Sequence, residues 1–148
     1  MTAELFLRYL HFVSIFAIAG TLTTEAVMLK DKLTRRSLTV IARVDLIYGI
    51  AALTLLAAGL TLWLTGIGKP AEWYTRNWIF HLKLTLFIVI GLLSIYPTVF
   101  FLRKRKGDPD DEVPVPSLIR YSVYAELGLL AIIPFLAGLM ARGIGLPA

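Results

Sequence analysis

Charged residues are spaced along this chain so that four long stretches between them are almost entirely apolar. The stretches run over Leu5–Leu29, Val44–Ile67, Trp78–Leu102 and Leu118–Ala141. The hydrocarbon core of a bilayer takes about 20 mainly apolar residues per helix, so each stretch predicts one transmembrane span. The second is the cleanest, with no charge between Leu46 and Gly68. The third is uncharged from Leu84 to Leu102 and carries Pro97. The fourth contains Glu126 and Pro134, and the proline predicts a kink. Four spans with short connections predict an all-α, up-and-down four-helix bundle, a single transmembrane domain over residues 1–148. Ala17-Ile18-Ala19 imitates a signal-peptide cleavage site, but Glu4 and Arg8 make a poor basic start, so the first segment is expected to be a retained helix.

Composition gives the reason for this pattern. The 148 residues are 57% hydrophobic and 17% charged, against about 45–50% and about 25% in ordinary globular proteins. A domain of this size leaves too much surface to hide so much apolar side chain from water. The implied solvent is lipid. A secreted disulfide scaffold, a disordered regulator and most soluble enzymes are excluded. There is no cysteine, so disulfides, thiolate metal sites and iron–sulfur clusters are excluded too.

The net charge of +5 reads as loop and headgroup chemistry, with no nucleic acid as partner. Lys30, Lys32, Arg35, Arg36, Arg43, Arg103, Lys104, Arg105, Lys106 and Arg120 fall on one face, ten charges in all. Arg8, Lys69, Arg76, Lys83 and Arg142 fall on the other, five in all. The excess predicts a cytoplasmic ten-charge face, with the N- and C-termini outside. Trp73, Tyr74 and Trp78 then form an aromatic belt at the outer interface, and Gly107–Pro116 reads as a solvated loop.

Ionisable groups inside a span cost about 2.5–3.5 kcal/mol on insertion scales, which makes each a functional candidate. At the outer end these are His11 and His81, the only two histidines. They lie on parallel helices, at depths that differ by about 5 Å at 1.5 Å per residue. Imidazole is a common axial ligand of haem iron, and bundle sites are built from facing helices. The sharp expectation is therefore that His11 and His81 ligate the iron of haem b. Gly20 and Gly91, nine and ten residues further along their helices, would let a porphyrin face or a helix approach the backbone. Arg8, one turn before His11, could pair a propionate. Single-histidine ligation and porphyrin contact without iron fit the same spacing. So does a bland reading, in which each histidine is an interfacial polar residue bonded to a neighbouring helix. If His81 faces the bundle, Lys83 sits about 200° away and is expected to snorkel outward, the alternative being that it meets a substrate carboxylate from an adjacent face.

At the inner end Glu25, Arg43, Asp45 and Glu126 collect, with Arg120 and Tyr48 close by. They suit a salt-bridge knot that fixes packing, or a proton relay. Ser14, one turn after His11, is expected to bond a backbone carbonyl. The chain contains no Gly-rich phosphate loop, Gly-x-Ser-x-Gly elbow or His-Glu-x-x-His motif.

Three segments carry a resemblance. Tyr9-Leu10-His11-Phe12, Ala42-Arg43-Val44-Asp45-Leu46-Ile47-Tyr48-Gly49 and Phe80-His81-Leu82-Lys83-Leu84, ending in Leu93-Ser94-Ile95-Tyr96-Pro97-Thr98, look like a bacterial four-span family, domain of unknown function 2214. That resemblance implies a multi-pass protein of the bacterial inner membrane and supplies no activity. Leu10-His11 and His81-x-Lys83-Leu84 shortly after Trp78 are also similar to HemJ-type protoporphyrinogen oxidases. This second likeness implies haem b or porphyrin contacts at His11 and His81, with Lys83 a functional candidate. The chain departs from those oxidases in having no further histidine and in placing Glu25 at the end of helix one. Copper-resistance membrane proteins share the Leu-His helix start, but Met1, Met28 and Met140 form no Met-rich path here.

The expected function is thus a haem b or porphyrin binding membrane protein, passing electrons to or from a quinone or porphyrinogen. The alternatives are a non-enzymatic subunit or assembly factor of a membrane complex, or of a homo-oligomer, and a small proton-coupled transporter.

Overall fold

A computed structural model describes residues 2–147. Four long helices, α1 (Thr2–Met28), α2 (Arg35–Leu64), α4 (Trp78–Lys104) and α5 (Ser117–Ala141), are each long and apolar enough to cross a membrane. A short helix α3 (Ala71–Thr75) bridges α2 and α4, and β1 (Lys32–Thr34) pairs with β2 (Glu112–Pro114). The result is an all-α bundle with a minimal sheet. Its two ends differ: the terminal end holds both chain termini, and the basic end holds the two strands.

Each helix buries a stripe and shows the rest to lipid. On α1 the stripe is Ser14, Ile18, Leu22 and Glu25, at helical spacing. On α2 it runs through Leu38, Ile41, Asp45, Tyr48, Ala51, Leu55, Ala58 and Leu62. On α5 it includes Ile119, Val123, Glu126 and Leu130. Outside the stripes, large side chains such as Phe16, Leu53 and Phe135 are exposed, as a hydrocarbon solvent requires. α1 packs chiefly on α2, and α4 on α5, so two helical hairpins meet along looser α2–α4 and α1–α5 seams. On α4 no residue between Ile79 and Ile90 is fully buried, and the bundle is hollow at that level.

The basic end is tied more tightly than a pair of solvated loops. The antiparallel strands place Leu33 opposite Val113 and bury both, with Val115 beside them. Part of the expected solvated loop 107–116 is therefore a packed strand. Thr34 caps α2 by accepting from the Ser37 N–H at 3.2 Å, so α2 begins at Arg35, nine residues before the expected start of the second span. The Arg35 guanidinium donates to the carbonyls of Lys104 and Lys106, each at 2.6 Å, and so fastens α2 to the end of α4.

At the terminal end, buried Asn77 caps α4 through the Ile79 N–H at 2.9 Å and donates to the Ile144 carbonyl at 3.1 Å. Gly145, at φ +96°, lies so close to the Asn77 side chain that a Cβ there would collide with it. Trp73 and Tyr74 of α3 stack edge to face at 5.1 Å, and Lys69 covers Trp73 at 3.5 Å.

Candidate functional site

The four helices line a half-open cavity of about 460 Å³ in the terminal half of the bundle. Every long helix contributes to its wall: Ile15 and Phe16 from α1, Leu55 and Leu56 from α2, Leu84 and Phe87 from α4, Ile133 and Pro134 from α5. Only two side chains bring ionisable groups to this apolar lining, His11 and Lys83.

The His11 ring leans against Gly59, where the absence of a side chain makes room for it. Its Nδ1 is buried and has no hydrogen-bond partner, while the Leu55 carbonyl faces the ring. A neutral imidazole has one nitrogen free to accept a hydrogen bond or to act as a ligand. Lys83 reaches in from α4, with Nζ 3.7 Å from Met140 Sδ. No carboxylate pairs it among the described residues.

His81 does not join this site. It is exposed, its Nε2 lies 2.7 Å from the Thr75 carbonyl, and its ring packs on Phe80 and Trp63. Trp63 Nε1 in turn donates to Thr75 Oγ1 at 2.9 Å, so the imidazole belongs to the α3 joint. The expected arrangement of His81 inward and Lys83 outward is reversed. The two are still opposed around α4, and the carbonyl freed at the end of α3 decides which one faces out.

The remaining expected contacts disperse. Arg8 is held by Glu4 at 2.8 Å, packed against Gly68, and does not line the cavity. Gly20 is exposed and a Cβ there would meet nothing within 4 Å. Gly91 is equally open and lines a different cleft, between α2 and α4. Gly59 on α2, not singled out from the sequence, is the glycine that lies against an imidazole. Ser14 bonds the Leu10 carbonyl at 2.8 Å and takes no part in the site.

The second constellation lies in the basic half. Glu25 from α1, Asp45 from α2 and Glu126 from α5 are all buried and lie within electrostatic range of one another. Tyr48 donates to Glu126 Oε2 at 3.0 Å, and Thr98 donates to Asp45 Oδ1 at 3.0 Å. The expected salt-bridge knot is absent among the described residues. Arg43 is exposed, and Arg120 pairs with exposed Asp31 at 2.6 Å. Arg43 lies two residues before Asp45, about 200° around α2, so burying the carboxylate turns the guanidinium outward. Thr98, not singled out from the sequence, shares an i,i+4 face with Ser94, and that polar pair within a span was the available signal.

No curated protein and no solved structure matches this chain. A family described as predicted membrane protein (DUF2214) matches residues 3–145. That match covers nearly every described residue, all four spans and both constellations, and the chain belongs to this family.

Proposed function

We propose that this membrane protein binds a flat lipophilic ring compound of the porphyrin or quinone class in its central cavity, with haem b the specific candidate. One observation carries the reading: an imidazole with a buried, unpartnered nitrogen stands in the wall of an otherwise apolar cavity. Pockets for ligands of this class hold about 300–1,000 Å³ and combine apolar walls with a few placed polar groups, and this cavity has that size and character. His11 is the residue that would hold a metalloporphyrin, and the Lys83 ammonium would meet a propionate or a quinone carbonyl. Ligation by both histidines does not fit, because the His81 ring lies outside the cavity with its Nε2 on a carbonyl. A bound iron porphyrin would supply one-electron redox chemistry. The chain's own part is to exclude water, fix the ring between Leu55, Phe87 and Ile133, and offer one nitrogen and one cation.

The proposed setting is the bacterial inner membrane, with the basic end in the cytoplasm and both termini outside. The excess of Lys and Arg at the strand-bearing end supports that orientation.

An absorption spectrum of detergent-purified protein, expressed with ample haem, tests the reading. The expected result is a Soret band lost in His11→Ala and kept in His81→Ala. In Lys83→Met the haem affinity should fall about tenfold, the equivalent of one charge-assisted hydrogen bond. Colourless protein that takes up neither haem nor a quinone on titration would sink it.

A further inference from the structure

Three carboxyl groups meet in the basic half of the bundle with no cation beside them among the described residues. Glu25 and Glu126 are each 1% exposed and Asp45 is 5% exposed. The titratable groups facing the cluster are Glu25 from α1, Asp45 and Tyr48 from α2, and Glu126 from α5. α4 contributes Thr98 and Ser94, which do not titrate. Three uncompensated carboxylates in a lipid-embedded core would cost far more than a bundle's stability, so something neutralises them. Among the described residues no group of three acidic or histidine side chains is arranged to hold a metal ion. The proton is the cation this cluster accommodates.

Two further observations distinguish a working site from a sealed packing device. Glu25 Oε1 is buried without any hydrogen-bond partner, whereas buried polar atoms in a finished core are nearly always satisfied. Asp45 and Tyr48 also line a cleft of about 490 Å³ between α2 and α4, whose wall extends to Ala42 and Leu102 toward the basic end. Leu56 and Phe87 line both that cleft and the central cavity, so one layer of side chains separates them.

We propose that Glu25, Asp45 and Glu126 form an exchangeable proton-binding site, filled and emptied through the cleft between α2 and α4. Each proton taken up converts one carboxylate to a carboxylic acid and raises the charge of the cluster by one unit. A protonated Glu25 gains an O–H donor and no longer repels Asp45 and Glu126.

Infrared spectroscopy of the protein in lipid nanodiscs reads this directly. At neutral pH a protonated-carboxyl stretch should be present and should shift within minutes of transfer to D2O. Glu25→Gln should remove one component of that band, and Asp45→Asn another. Gly91 borders the cleft with open space around it, so Gly91→Phe should fold and slow the isotope shift several-fold. A spectrum without protonated carboxyl overturns the site. A band unmoved by D2O over hours makes it a sealed structural cluster, and an unchanged rate in Gly91→Phe overturns the cleft as the route.

Discussion

Gly59 on α2 faces the His11 ring on α1 so closely that a methyl group there would stand 3.6 Å from Cε1 and 3.7 Å from Nδ1. Those distances are ordinary van der Waals contact, so Gly59→Ala should fold and keep its ligand. A longer branched side chain must go where the ligand goes. Gly59→Leu is expected to abolish uptake of the ring compound while helical content by circular dichroism stays unchanged. Undiminished uptake by Gly59→Leu would place the ligand elsewhere.

His11 and His81 should part company in every assay. His81 joins α3 to α4 through the Thr75 carbonyl and packs on Trp63, so His81→Ala should cost about 1 kcal/mol, the usual net worth of one hydrogen bond. Thermal unfolding in detergent measures that loss. Ligand uptake in the same variant should match the unaltered protein. A variant that keeps its stability and loses its ligand would restore the shared-histidine arrangement.

Much of this architecture was legible in the sequence, because bilayer thickness and hydropathy constrain helices strongly. The four spans, their up-and-down order and the depth of the buried carboxyls all follow from spacing along single helices. Rotation about each helix axis was less accessible. His81 and Lys83 differ by about 200° on one helix, and which of them faces in is settled by the Thr75 carbonyl, six residues before His81. Arg43 and Asp45 pose the same question, and Asp45 goes inward because Thr98 of another helix meets it. The strands at the basic end were hidden for a different reason. Lys32–Thr34 and Glu112–Pro114 are three residues each, too short for any period to show.

Arg35 holds the basic end together through one terminal nitrogen of its guanidinium. One of its terminal nitrogens spans two carbonyls at 2.6 Å, and its Nε lies 3.7 Å from Asp111 Oδ2. Gly107, at φ +128°, leaves room for it, since a Cβ there would sit 2.8 Å from Nε. Arg35→Ala should therefore destabilise by about 1–3 kcal/mol, and Arg35→Lys, whose ammonium offers three donors on one nitrogen, by less. Limited proteolysis should cut residues 105–111 faster in Arg35→Ala. Unchanged cleavage in Arg35→Ala would mean that the two carbonyl bonds do not hold this end together.

The Tyr48–Glu126 bond tests how the carboxyl cluster is held, because removing one partner and removing both have different costs. Tyr48→Phe takes away the donor at 3.0 Å from Oε2 and leaves a buried carboxyl short of a partner, a loss of about 1–3 kcal/mol. Glu126→Leu leaves the Tyr48 hydroxyl stranded in an apolar core, at a similar cost. The double variant Tyr48→Phe with Glu126→Leu removes both polar groups, and replacing both by apolar side chains is nearly neutral. Denaturant unfolding of the four proteins should therefore give a double variant more stable than the sum of the single losses. With single losses of about 1–3 kcal/mol each and a nearly neutral double variant, the expected coupling is about 2–6 kcal/mol. Strict additivity would mean that the hydroxyl and the carboxyl are satisfied independently of each other. In that case the carboxyls of α1, α2 and α5 would act one by one rather than as a coupled group.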